Sequence, residues 1–268
     1  MKKIQLVLFI LTLFAAFSLA DFKPEEKPIR GLNIDTAYVL PLGGVDARVA
    51  FPDVSIPLSV GIFDGLQLNS RTVLWFTQVR VPNVGLKWNL AKETENMPAF
   101  SIGGSGSWIT IKDIPLDNYA SGLGSLYETI DKVEIFYYNL SLYASKNFGY
   151  ITASTALTYN KVNVTIFDAG SDTQTITDLF YKALKYFTGV LEPTSMFTAS
   201  VVVHYEILQN LRLITEALVT LDEPYAYYLA AGLVLALGDN FRIDAGVIGA
   251  RAAQFYSPLP HLGVGLNF

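Results

Sequence analysis

The chain has 268 residues, 51% hydrophobic and 16% charged, with two histidines and no cysteine. A disulfide framework, a thiolate nucleophile and a cysteine zinc site are therefore excluded. The charged share is well below the quarter usual in water-soluble domains, and a net charge of −5 gives no electrostatic reason to bind nucleic acid.

Lys2 and Lys3 precede an apolar stretch from Ile4 to Phe17, and Ser18-Leu19-Ala20 follows. A basic start, a short apolar core and small residues before the cut predict a secretory signal peptide over 1–20. The stretch is short for a membrane span, which needs about 20 residues. Removing it leaves 17 of the 19 basic side chains against 24 acidic ones, moving the net charge from −5 to −7. Residues 21–42 then form a lead ahead of the first strand. They are expected on the periplasmic side or tucked inside a barrel, and LNIDTAYVL (32–40) can also pair as an extra strand.

From residue 43 the chain reads as alternating segments separated by turn residues, the pattern of transmembrane strands. Strands are predicted near 43–51, 56–63, 65–76, 80–90, 97–111, 132–145, 148–160, 194–208, 210–220, 225–238, 240–250 and 260–268. The longest apolar run after the leader, AYYLAAGLVLAL (226–237), is too short for a spanning helix and fits a tilted membrane strand of about 9–11 residues. Tight turns such as Asp64-Gly65, Gln209-Asn210 and Gly238-Asp239-Asn240 alternate with longer connections, including 112–131, 161–193 and 251–260. Short turns at one end and long loops at the other are the barrel arrangement. The count of twelve is even, with ten and fourteen left open by the boundaries.

Pleat alternation assigns the faces. Val45, Ala47 and Val49 point one way, Asp46 and Arg48 the other; Val84, Leu86 and Trp88 oppose Lys87. Because Lys or Arg at the lipid midplane costs about 2–4 kcal/mol, charges belong inside. The expected lumen residues are Asp46, Arg48, Arg71, Lys87, His204, Glu206, Arg212, Glu216, Arg242 and Asp244. They read equally as the wall of a hydrated passage or as salt bridges that fill and rigidify the barrel. Ala226, Ala230, Gly232 and Ala236 leave inward room for water or an inserted segment.

The 161–193 connection holds Phe180, Leu184, Phe187 and Leu191 at helical spacing after Asp178, which predicts a short amphipathic helix. It would cover loop hydrophobics, lie on the membrane or fold inward as a gate. IGGSGS (102–107) lacks the lysine of a phosphate loop and reads as small residues in a strand, where the chain bends or a plug approaches. Ser200, His204 and Glu206 share a face, so a hydrolytic triad is conceivable, although a structural histidine is the simpler reading. His261, after Pro260, is expected at the rim. No catalytic residue, metal site or cofactor is assigned.

The leader MKKIQLVLFILTLFAAFSLA, the alternating hairpins and the terminal LGVGLNF resemble bacterial outer-membrane β-barrels as a class. The resemblance implies an outer-membrane location, lipid as surroundings, and Phe268 as a recognition signal for the barrel-assembly machinery. The expectation is one all-β domain over 43–268, an antiparallel up-and-down transmembrane β-barrel of about twelve strands. Its expected function is passive, porin-like passage of small solutes or ions through a mixed-charge lumen. The rivals are a non-conducting structural or surface-interaction barrel, a rim hydrolase using His204, and a soluble secreted β-protein. The sequence names no solute and no oligomeric state.

Overall fold

The computed structural model describes residues 30–32, 34–51, 55–75, 79–115, 129–167, 195–221, 227–238, 240–252 and 255–267. Within them the chain forms β1 (Val45–Phe51), β2 (Ser55–Phe63), β3 (Leu66–Trp75), β4 (Val79–Ala91), β5 (Ala99–Pro115) and β6 (Thr129–Asn147). These are followed by β7 (Ile151–Phe167), β8 (Ser195–Leu208), β9 (Leu211–Thr220), β10 (Tyr227–Leu237), β11 (Phe241–Ala252) and β12 (Phe255–Asn267). Every strand is antiparallel to its sequence neighbours, and β12 returns to β1, so the sheet is a closed barrel. The closing register runs from Asp46 opposite Asn267 to Phe51 opposite Leu262. Closure pairs the backbone groups that lipid could not solvate. Tight hairpins use glycines in the left-handed region, with φ of +82° at Gly65 and +69° at Gly238.

The twelve strands fall where alternation places them, with two differences in extent. β5, β6 and β7 run to Pro115, from Thr129 and to Phe167, further than expected. Polar residues such as Lys112 and Thr165 made these ends read as loop, yet they stand in register opposite Lys132 and Glu134. Beyond the lipid both faces of a strand meet water, so alternation stops marking it. β12 begins at Phe255 and includes Pro258 and Pro260, which stand opposite Gly249 and Val247. The β1 register stops at Leu262. Among the described residues the prolines thus lie past the end of the β1 register, where β12 pairs with β11 alone, an edge-like place that tolerates proline. The signal segment, the helix expected in 176–193 and Phe268 lie outside the described residues.

Residues 30–42 do not run outside the cylinder. Leu32, Thr36, Ala37, Tyr38 and Leu40 are buried within it. Gly31 N–H donates to the Ile34 carbonyl at 2.8 Å, and the backbones of Arg30 and Asp35 form an isolated antiparallel β-bridge, so the segment begins as a tight turn. Leu32 packs on Val202, Ile214, Ala230 and Ile248 of β8–β11. On the opposite wall Ala37 and Tyr38 pack with Ala99, and Tyr143 lies against them. The segment therefore crosses the lumen from one wall to the other.

Candidate functional site

Three arginines and two aspartates form the charged centre of the lumen. Asp46, on β1, lies 2.9 Å from Arg30 Nε and 3.0 Å from Arg242 Nη2. Both contacts are ion pairs in distance but lack hydrogen-bond geometry. One level along the same strand, Arg48 Nη2 donates to Asp244 at 2.5 Å and meets His261 Nε2. His261 Nε2 is also 2.6 Å from Asp244. Asp244 and Arg242 need space from the neighbouring strand. A Cβ at Gly263 would strike the Asp244 carboxylate, and one at Gly265 would lie 2.6 Å from Arg242 Nε. The glycines of LGVGLNF are thus the floor of the ion-pair cluster.

The same wall holds the main chain of residues 30–42. Arg48 Nη1 donates to the Gly31 carbonyl at 3.2 Å and to that of Leu32. Lys87 donates to the Thr36 carbonyl at 3.3 Å, and Ser101 to that of Ala37. In the other direction, Ile34 N–H donates to Glu216 at 3.3 Å, Ala37 N–H to Ser145 at 2.7 Å and Leu40 N–H to Gln67 at 2.8 Å. Two side-chain contacts complete the seat: Arg30 with Ser59, and the Tyr38 hydroxyl donating to Glu93 at 2.7 Å. Burial, reinforced by Glu93, raises the Tyr38 phenol far above the usual tyrosine range, so it remains a donor. Glycines clear the path: a Cβ at Gly61 would collide with the Pro41 carbonyl, and one at Gly232 would lie 3.0 Å from Leu32 Cδ1.

Beside this level β4–β8 also carry a belt of uncharged polar side chains facing the lumen. Asn83 donates to Ser107 and Asn139 to Ser105, each at 2.8 Å. Tyr137 donates to Asn160 at 2.7 Å, and Ser141 and Thr158 share a bond at 2.8 Å. IGGSGS supplies part of this belt, and its small residues let the segment approach: Ser101 lies one position ahead, on Ala37.

The outer surface has the opposite character. Val84, Leu86, Trp88 and Leu90 of β4 are exposed, whereas Lys87 between them is 1% exposed. Leu140 and Leu142, Leu229 and Leu233, and Leu262, Val264 and Leu266 continue the apolar band around the cylinder. Phe136, Tyr138, Tyr159 and Phe197 form an outward aromatic ladder with ring centroids 5.2–6.4 Å apart. In water this band would be an aggregation surface; in lipid it is the solvent-matched face, with aromatics suited to an interface.

The chain is a closed twelve-stranded β-barrel with an apolar outer face.

No family model and no curated protein matches this barrel. Among solved structures it is similar to the KdgM porin, at 13% identity over 84% of this chain and 98% of that one, with a TM-score of 0.47. It is also similar to the NanC porin, at 10% identity, 84% and 98% coverage and a TM-score of 0.44. The translocator domain of the autotransporter NalP from Neisseria meningitidis gives 12%, 84% and 86%, and 0.43. Likeness at this level extends to no solute and no mechanism.

Among the expected lumen residues, Asp46, Arg48, Lys87, His204, Glu216 and Asp244 are inward and at most 3% exposed. Arg242 joins the cluster on Asp46. Glu206 and Arg212 stand opposite each other across β8 and β9, half-buried. Arg71 lies in β3 between Pro57 and Asn83, and its side chain is outside the described residues. His204 has no hydrogen bond on either ring nitrogen, so neither Ser200 nor Glu206 is joined to it as a triad requires. His261 is not at the rim but 3% exposed inside the lumen. Its parity with Gly263 and Gly265 was the signal, masked by reading Pro258 and Pro260 as loop. Gln67, Ser101 and Ser145 were missed because their partner is the backbone of a segment with no strand pattern, and Arg30 because it belongs to that segment.

Proposed function

We propose that this protein is an outer-membrane, porin-like barrel that passes small solutes or ions, with its passage closed here by residues 30–42. One observation carries the reading. The charged wall is buried by a chain segment held mostly through polar bonds, rather than by an apolar core. In an open passage Asp46, Lys87 and Asp244 would face water; they are 0–1% exposed. Eight strands give an interior that side chains alone can fill, and diameter grows roughly linearly with strand number. Twelve strands leave a gap, and here a peptide occupies it. Withdrawing that peptide would uncover charged, hydroxyl and amide groups, which favour hydration.

Residues 21–268 refolded in detergent and inserted into a planar bilayer test this reading. Current steps that become frequent when the segment is displaced, with ion preference shifted by Arg212→Ser, are the expected result. Arg212 touches none of residues 30–42 through the bonds above, so its substitution tests the wall and not the closure. A folded, inserted barrel that stays silent with the segment displaced would favour a structural barrel.

A further inference from the structure

The segment is held in a way that says what else could occupy its place. Seven bonds run between wall side chains and its main chain: four to carbonyls, from Arg48 twice, Lys87 and Ser101, and three from amides, to Glu216, Ser145 and Gln67. Main-chain groups are common to every peptide and do not depend on the residues that carry them. The side-chain anchors are Leu32 and Ile34 at the Val202–Ile214–Ala230–Ile248 cluster, Ala37 and Tyr38 against Ala99, Tyr38 on Glu93, and Arg30 on Asp46 and Ser59. Between Leu32 and Tyr38 the wall thus reads a peptide backbone with an apolar anchor at one end and a hydroxylated aromatic at the other.

We infer that the lumen wall is a binding site for oligopeptides, recognised through their main chain, which residues 30–42 occupy in cis. This deepens the passage reading, since it names the class of solute the uncovered wall would take. It also explains the donor and acceptor mixture of the wall. A wall for anions would present donors only, whereas alternating carbonyls and amides need both kinds. The tethered segment competes at an effective concentration on the order of millimolar, so added peptide binds well only once the segment is displaced.

The test uses the mature chain folded in detergent, with Gly31→Val and Leu32→Asp to displace the segment. A Cβ at Gly31 would strike Glu216 and lie 2.9 Å from Val202. Leu32→Ala serves as a second receptor, and circular dichroism verifies the barrel in each. The probe is a fluorescent peptide, RGLNIDTAYVLPL, followed by anisotropy. The displaced variants should bind it at least about tenfold more tightly than the unaltered protein. N-methylation of the amides corresponding to Ile34, Ala37 and Leu40 should weaken binding about 100-fold, since three bonds are lost. A peptide keeping the leucine, isoleucine and tyrosine anchors but carrying alanine at the other positions between them should bind within about threefold of the parent, as main-chain recognition requires. Equal binding of the methylated peptide, or none by a folded variant, would overturn the inference. Bilayer current from the same samples separates the two readings. Binding without current contradicts passage and keeps the site; current without binding keeps passage and removes the site.

Discussion

Replacing Leu32 by alanine should release the turn at residues 30–34 while leaving the barrel wall untouched. Ordering these five residues costs about 1–2 kcal/mol each, so roughly 5–10 in all. Against this stand the burial of Leu32, worth about 2 kcal/mol, three bonds to charged groups at about 1.5–3 each, and the Arg30 contacts with Asp46 and Ser59, whose attraction is largely offset by desolvation. Those bonds are the two from Arg48 to Gly31 and Leu32 and the one from Ile34 to Glu216. The two sides nearly balance, so docking depends on each anchor. Leu32 is 2% exposed and sits among four buried side chains. Its truncation costs about 2–5 kcal/mol as a core Leu→Ala change. At about 1.4 kcal/mol per factor of ten, even the lower part of that range moves the docked population by tens of fold. Hydrogen exchange followed by mass spectrometry over residues 30–40 should show the Ile34 amide losing protection, while amides of β8 to β11 keep theirs. Bilayer recordings should show a matching rise in open time. If Leu32→Ala leaves both the exchange of Ile34 and the current unchanged, the account of how the segment is held is wrong.

Three further outcomes follow from the same contacts. Arg48→Met should destabilise the barrel by about 3–5 kcal/mol in urea titrations, because Asp244 is left buried with one partner fewer. Adding Asp244→Asn should cost much less than the sum of the single changes, a coupling a double-mutant cycle measures. Leu233→Arg, on the outward face of β10, should cost about 2–4 kcal/mol when the protein is folded into lipid vesicles. Tyr38 gives a pH dependence of known sign. Its phenol is raised by burial, so the docked state keeps a proton that the free segment releases above about pH 10. Docking should be level through Tyr38 below that pH and weaken above it, and Tyr38→Phe should remove the alkaline loss.

Much of the barrel is legible in the sequence because lipid outside and polar groups inside impose a period of two on every strand. Val84, Leu86 and Trp88 against Lys87 could hardly be arranged otherwise, and Phe241, Ile243 and Ala245 against Arg242 and Asp244 repeat the logic. The rule fails where its cause is absent. Lys112 and Thr165 lie on strand ends where both faces can be polar. Pro258 and Pro260 lie where, among the described residues, β12 pairs with β11 alone. The placement of 30–42 was legible only as an option. Nothing in LNIDTAYVL distinguishes a lead from a plug, because its partners are backbone-directed side chains on six different strands. Each of those side chains looks, in its own strand, like an ordinary inward polar residue.

The most direct test of the closure uses the absence of native cysteine. Ala37 N lies 2.7 Å from Ser145 Oγ, so Ala37→Cys and Ser145→Cys put two cysteines on neighbouring chain segments of an otherwise thiol-free chain, and oxidation selects the pair if it can close. Made in the Leu32→Ala background, the pair would tether the segment to β6 when oxidised and free it when reduced. Single-channel recording across the addition of a reductant should show little current before and sustained steps after, reversed on reoxidation. Equal current in the two states, with the disulfide verified by mass, would contradict closure of the lumen by residues 30–42.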